Sequence, residues 1–313
     1  MQTILGANGQ IATELAKELK RKYTSDIRLV SRDPKKVNDT DLLFPADLMD
    51  AAKTNEAVKG SEIAYLTVGL PLDTAAWGIQ FPAIMRNVID ACKNNNTRLV
   101  FFDNTYMYPQ DGQVLTEETA FAPVGEKGRI REKTTLMLLE EMRSKQITAS
   151  ICRAPEFYGP GKTQSITNSL IFTNIRKGLP LKVYLNDGTL RTLIWTPDAS
   201  KAMALIGNTM EAYHQTWHLP CDDDRLTYKE LIKLASEIYG EAFDYTVIHE
   251  SDLKLAAIND HRTSEMLELL PRYDHDNIFD SSKFKKMFPD FKVTTYRQGI
   301  GQIRDEQKIS ASR

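Results

Sequence analysis

Apolar residues along the first half of the chain gather in short β-rich runs. These are Thr3–Leu5, Ile27–Ser31, Leu42–Ala46, Ile63–Val68, Leu99–Phe102 and Ile147–Cys152. Such runs, bounded by polar and turn residues, read as buried strands. Between them, Gln10–Lys22, a short stretch after Asp50, Ala75–Asn94 and Lys127–Lys145 carry apolar residues at helical spacing. Strands alternating with helices predict a parallel sheet covered on both faces. Right-handed crossovers then make it doubly wound. After Arg153 the alternation loosens, though helix signals persist. Thr196-Pro197-Asp198 reads as an N-cap followed by proline at the first helical position. Thr227 with Glu230 fits a capping box, and Gly240 fits the stop of that helix.

A length of 313 residues suits about two domains. The expected division is residues 1–153, a dinucleotide-binding α/β part, and 154–313, a smaller and mainly substrate-binding part. No single linker separates them, so the two are expected to interweave, with segments returning to the sheet.

Hydrophobic residues make up 42% and charged residues 26%, which excludes a disordered chain. The formal charge of −2 gives no basic excess for nucleic acid or an anionic membrane. No apolar run approaches the ~20 residues of a membrane span, and the N-terminus does not read as a signal peptide. Cys92, Cys152 and Cys221 are scattered, which suits a reducing cytoplasm. Neither the cysteines nor the five histidines have metal-ligand spacing, so no metal is expected. Asp222-Asp223-Asp224 reads as a solvated loop before the Thr227 cap rather than a cation site.

The first candidate chemistry is Gly6-Ala7-Asn8-Gly9-Gln10-Ile11-Ala12, between the first strand and the first helix. Gly6 and Gly9 permit a tight turn and close approach of a pyrophosphate, and the helix start offers free N–H groups. This is the strand–turn–helix context of a Rossmann dinucleotide site. The tip of the second strand carries Ser31 and Arg32 where an acid would favour NAD. Arg32 suits a 2′-phosphate, so NADP is the preferred cofactor, while Asp33 leaves NAD open. Asp47, with Leu48, ends the third strand; it either meets an adenine amino group or caps the next helix. The loop opening at Gly69 is expected to border the cofactor.

With these residues in place, the sequence resembles the extended, atypical short-chain dehydrogenases/reductases of the NAD(P)-dependent epimerase/dehydratase type. Arg153-Ala154-Pro155-Glu156-Phe157-Tyr158-Gly159-Pro160-Gly161 matches the family's Arg-x-x-Asn-x-Tyr-Gly-Pro-Gly pattern except at Glu156. The resemblance implies a cofactor contact at Pro155. It also implies a Tyr-x-x-x-Lys pair, in which lysine holds the nicotinamide ribose and tyrosine moves a proton. Aligning Lys133 with that lysine puts Arg129 at the tyrosine position. A permanently protonated arginine is no general base, but it can hold an anion or polarise a carbonyl. Asn104 falls where the family has a Ser or Thr, four residues before Tyr108. Tyr106 is the neighbouring hydroxyl chosen as its substitute. Arg191, within Asp187–Trp195, matches an arginine that clamps a nucleotide diphosphate, yet Glu156 beside a diphosphate would repel it unless neutralised.

The implied function is an NAD(P)-dependent oxidoreductase or epimerase acting on a small carbonyl or sugar-like substrate through an altered site. The alternative from another class is a non-catalytic NADP(H)-binding sensor. The expected partner is a small-molecule substrate, with no nucleic acid or membrane and with room for a homodimer.

Overall fold

A computed structural model describes residues 1–161 and 163–311. Seven strands form the central sheet: β1 (Gln2–Leu5), β2 (Ile27–Ser31), β3 (Leu42–Pro45), β4 (Ile63–Leu66), β5 (Arg98–Asp103), β6 (Ala149–Arg153) and β7 (Thr216–His218). Their order is β7-β6-β5-β4-β1-β2-β3. Every neighbouring pair is parallel. The fold is therefore the α/β doubly wound sheet that the alternation predicts. The strand order reverses between β1 and β4, and such a switch point opens a crevice at the carboxyl ends of the strands.

The helices explain why β1, β4 and β6 are buried along their whole length. On one face, α1 (Gln10–Lys22) packs along α5 (Thr196–Gly207). The small side chains of Ala12, Ala16, Ala199 and Ala202 let the two helices come close. Ser200 Oγ donates to the Ile11 carbonyl at 3.1 Å across this seam. On the other face, α2 (Ala51–Val58), α3 (Thr74–Asn94) and α4 (Gly125–Arg143) bury Val58, Ile84, Val88 and Leu138 against the sheet. Residues 196–218 thus return from the second half to supply α5 and the edge strand β7. That strand has only three residues, too few for a period in the sequence, and its place is set by pairing with β6.

The second half has its own core around Tyr158, Phe172, Leu181, Trp195, Tyr228 and Tyr273. Within it lie α6 (Tyr228–Tyr239), α7 (Glu250–Ala257), α8 (His261–Leu267) and α9 (Tyr296–Ala311). Thr227 and Glu230 form the expected capping box, and Gly240 ends α6 in the left-handed conformation. Two local expectations are corrected. Helix α5 starts at Thr196 itself, with Trp195 in the cap position. Asp50, not Asp47, caps α2 by accepting from Lys53 N at 3.0 Å, while Asp47 closes a turn onto Met49 N. Asp223 pairs with Lys285 at 2.7 Å and Arg225 at 3.5 Å, as a solvated loop would. Among the described residues no cluster of His, Cys, Asp or Glu could hold a metal, and no helix is long and apolar enough to cross a membrane.

Candidate active site

At the switch point, Gly6 sits at φ +94°, and a Cβ there would lie 2.8 Å from Val68, just past β4. Glycine is required on both counts. Asn8, also left-handed at φ 83°, stitches the turn to the next loop. Its amide donates to the Asp33 carbonyl at 2.7 Å and accepts from Lys35 N at 3.1 Å. Gln10 reaches instead to the backbone of Gln164. Helix α1 begins at Gly9 with no capping side chain and no acid in its first turn, while Lys20, Arg21 and Lys22 occupy its last. The first-turn N–H groups are therefore open to an anion, and the dipole favours one. Arg32 is exposed and has no hydrogen bond or ion pair among the described residues. Leu48 is buried, Gly69 has open space where a side chain would stand, and Pro155 is buried after β6.

Helix α4 turns a different face inward from the one expected. Among the described residues Arg129 pairs with Glu126 alone, both more than half exposed, and Lys133 is exposed as well. These positions lie on the outer face of α4 with Leu136 and Glu140. The inner face carries Lys127 and Arg131, also four apart, then Thr134, Thr135 and Leu138. The buried basic pair thus stands two residues before the pair expected at 129 and 133. The helical period explains it, because a two-residue slip turns a side chain by about 200°. A repeat of four alone does not say which face is inner; the buried Ile130 and Leu138 do.

Both inner-face cations are committed to carboxylates. Asp103, at the end of β5 and fully buried, accepts from Arg131 Nη2, from Thr135 Oγ1 at 2.8 Å and from Arg153 Nη2 at 3.4 Å. Arg153 also donates to the Tyr108 hydroxyl at 2.5 Å, and that hydroxyl meets His218 Nε2 at 2.7 Å. His218 Nδ1 lies 2.8 Å from the Asp280 carbonyl, which can only accept, so that nitrogen carries the proton. Burial, and then the charge of Arg153, holds the His218 pKa well below its usual value. Tyr108 is a structural member of this network.

Lys127 is 1% exposed; its Nζ reaches Glu265 Oε2 at 2.5 Å and Glu268 Oε1 at 2.6 Å. Hydrogen bonds from Lys127 and then Thr74 pull the Glu265 carboxyl down to about 2.

Beside these lies an aromatic corner. The Tyr106 ring is parallel to Trp77, at 6.2 Å and 8°, next to Phe81 and Ile130. Gly128 lets α4 approach this loop, since a Cβ there would lie 2.7 Å from the Tyr106 carbonyl. Asn104 accepts from Tyr106 N at 3.1 Å, which leaves its amide nitrogen without a partner among the described residues. The Tyr106 hydroxyl likewise has none, and the Arg272 guanidinium stands 4.9 Å from the ring centre.

On the substrate side, the structure corrects the outward role expected of Arg191. Its side chain is 3% exposed and donates to the Arg272 carbonyl. Glu156 is buried too. It accepts from Thr167 N at 2.7 Å, Thr167 Oγ1 at 2.8 Å and Tyr273 OH at 3.0 Å. Arg191 and Arg272 flank it at 3.9 Å and 3.7 Å. The carboxylate that would repel a diphosphate is thus neutralised within the protein, and Arg191 is used in doing so. Sequence reasoning missed Arg272, Lys127, Arg131 and the two glutamates. Only the buried i, i+4 spacing of Lys127 and Arg131 left a trace in the pattern. Arg272 donates no hydrogen bond among the described residues, and its Nε is buried without a partner. Burial works against its charge, but Tyr273, Tyr106 and Glu156 outweigh that and raise its pKa.

The fold and the glycine turn define a Rossmann-like α/β scaffold. More narrowly, residues 3–217 match the model of the NAD dependent epimerase/dehydratase family, and the chain belongs to that family. It is an enzyme of the NAD-dependent epimerase/dehydratase type. Similar solved structures include UDP-glucuronic acid 4-epimerase from Bacillus cereus in complex with UDP-glucuronic acid and NAD. That match has a TM-score of 0.81 and 12% identity, covering 99% of this chain and 100% of that one. UDP-glucose 4-epimerase from Thermus thermophilus in complex with NAD matches with a TM-score of 0.77 and 16% identity, covering 98% of this chain and 99% of that one. A search of curated protein sequences gives no match.

Proposed function

We propose that the chain is an NADP(H)-preferring oxidoreductase or epimerase whose substrate is a small carbonyl or sugar-like compound bearing an anionic group. The carrying observation is the pairing in one corner of two groups with unused hydrogen-bond donors, one of them, Arg272, also 3.7 Å from Glu156. The Tyr106 hydroxyl lacks a partner among the described residues, and the adjoining Arg272 guanidinium donates no hydrogen bond among them. A phenol can give a proton to a carbonyl oxygen, and a guanidinium holds a carboxylate or phosphate by its fork.

The residues present suit the family's cofactor. Gly6, Gly9, Gln10 and Ile11 would hold its pyrophosphate at the uncapped start of α1, with Asn8 fixing the loop that presents Arg32. Leu48, Gly69 and Pro155 would border it, with Asp47 near the third-strand tip. The bound nicotinamide would supply hydride exchange. This chain's own contribution is to orient the substrate through Arg272 and to hold or move a proton at Tyr106, with Asn104 as a hydrogen-bond partner. The inward turn of Arg191 disfavours an ordinary nucleotide diphosphate sugar.

Arg32→Ala should weaken NADPH binding by about 10–100-fold, equivalent to one lost charged contact of about 1.5–3 kcal/mol, and leave NADH unchanged. Titration calorimetry with both cofactors measures this, and equal affinities in the parent protein refute the NADP preference. Arg272→Ala should lower kcat/KM for anionic substrates by about 10–100-fold, with neutral ones little affected. NADPH consumption with 2-oxo acids, sugar acids and uncharged aldehydes tests it. Tight NADPH binding with no turnover of any of them would favour a cofactor-binding regulator instead.

A further inference from the structure

The most heavily bonded cation of the cleft has no part in the proposed chemistry. Lys127 Nζ touches Thr74 Oγ1 at 2.5 Å, Glu265 Oε2 at 2.5 Å, the Glu265 carbonyl at 2.9 Å and Glu268 Oε1 at 2.6 Å. Thr74, at the start of α3, donates to Glu265 Oε2 through both N (2.8 Å) and Oγ1 (2.6 Å). Lys127 N donates to Glu268 Oε2 at 3.1 Å. A carboxylate pair from α8 and the residue after it is therefore gripped by the first turns of α3 and α4. Thr74 and Lys127 belong to the first half of the chain, and both glutamates to the second.

Two further features fit this grip. Gly125 is left-handed at φ +78°, and a Cβ there would run into the Glu268 side chain. The α7–α8 hairpin is otherwise lightly anchored. Leu253 and Met266 are its buried apolar side chains, whereas Leu255 and Ile258 are 69% and 73% exposed. Directly after the hairpin, Leu270–Tyr273 carries Arg272. That turn is pinned to the second half by Arg191 on the Arg272 carbonyl and by Tyr273 on Glu156. Arg272 is thus held from one side by those contacts and from the other by the Lys127 grip.

We infer that Lys127, with Glu265 and Glu268, is a positioning clasp between the two halves. It does not touch the substrate. It locks segment 261–273 over the cleft, sets Arg272 against Tyr106 and so tunes the site for an anionic ligand. The part concerning Arg272 rests on the function proposed above; the clasp itself does not.

Hydrogen exchange of the NADPH-loaded protein tests the clasp. Lys127→Met should speed exchange across 261–273 by about tenfold or more while the central strands keep their protection, a local rather than global opening. Lys127→Arg should recover most of the protection. Glu268→Gln and Gly125→Ala, which leave Lys127 in place, should each loosen the same segment, and they answer the question if Lys127→Met fails to fold. Oxalate, titrated as an anion probe and read by tryptophan fluorescence through Trp77, should bind at least about tenfold more weakly to Lys127→Met. Unchanged exchange in these variants overturns the clasp. Faster exchange with unchanged oxalate binding overturns its role in positioning Arg272. Arg272→Ala serves as the separate control. If it leaves oxalate binding intact, the anion assignment fails, while the exchange result still decides the clasp.

Discussion

Tyr106→Phe should lower kcat by about 10²–10⁴, the usual contribution of a positioned acid–base group, with little change in NADPH affinity. The tyrosine-lysine mechanism of the family has no residue to run on here. Lys127 is consumed by Glu265 and Glu268, Arg131 by Asp103, and position 104 carries an amide. The phenol whose hydroxyl is unpartnered here among the described residues is Tyr106, held by the loop after β5, by Trp77 and by the close approach of Gly128. Removing its oxygen keeps the ring contacts, so stability should hardly move. Steady-state kinetics on the best substrate of the panel, with cofactor titration in parallel, makes the measurement. A kcat equal to that of the parent would reduce Tyr106 to a packing residue.

The largest loss of stability should come from Asp103→Ala. This carboxylate is the shared partner of Arg131 and Arg153, whose side chains are 4% and 1% exposed. Removing it leaves two buried guanidiniums facing each other without their counter-charge. Breaking a buried pair on one side costs about 3–5 kcal/mol, because a charge stays in low dielectric unpaired. For a chain of this size the melting temperature should fall by on the order of 10 °C. Thermal unfolding followed by circular dichroism reads this directly. An unchanged transition would remove Asp103 as the centre of the network.

Much of the sheet was legible because the alternation of its strands and helices comes from local chemistry. Short apolar runs separated by helices at 3.6-residue spacing leave few topologies once crossovers must be right-handed. The glycine turn was legible for the same reason. Gly6 answers to backbone geometry, and the glycine spacing between an apolar run and a helical one stands in the sequence itself. The seventh strand was not legible, since Trp217 and His218 are buried by a neighbour contributed from far along the chain.

The substrate side shows the other limit. Sequence alone determined that Glu156 and Arg191 depart from, or match, a known pattern, and that an acid there needs neutralising. It did not determine which way either side chain faces. That depended on Tyr273, Thr167 and Arg272, brought to Glu156 from segments up to 117 residues away. The same holds for α4. Residues 127 to 133 offer several basic positions at intervals of two and four, and helical spacing fixes only which of them share a face. Which face is inner is set by what packs against it: Asp103 from β5 draws Arg131 in, and Glu265 and Glu268 from the second half draw in Lys127. Periodicity is a property of neighbours along the chain and can be read there. The partner of a buried charge is a property of the folded surface that closes over it, and only the tertiary structure supplies it.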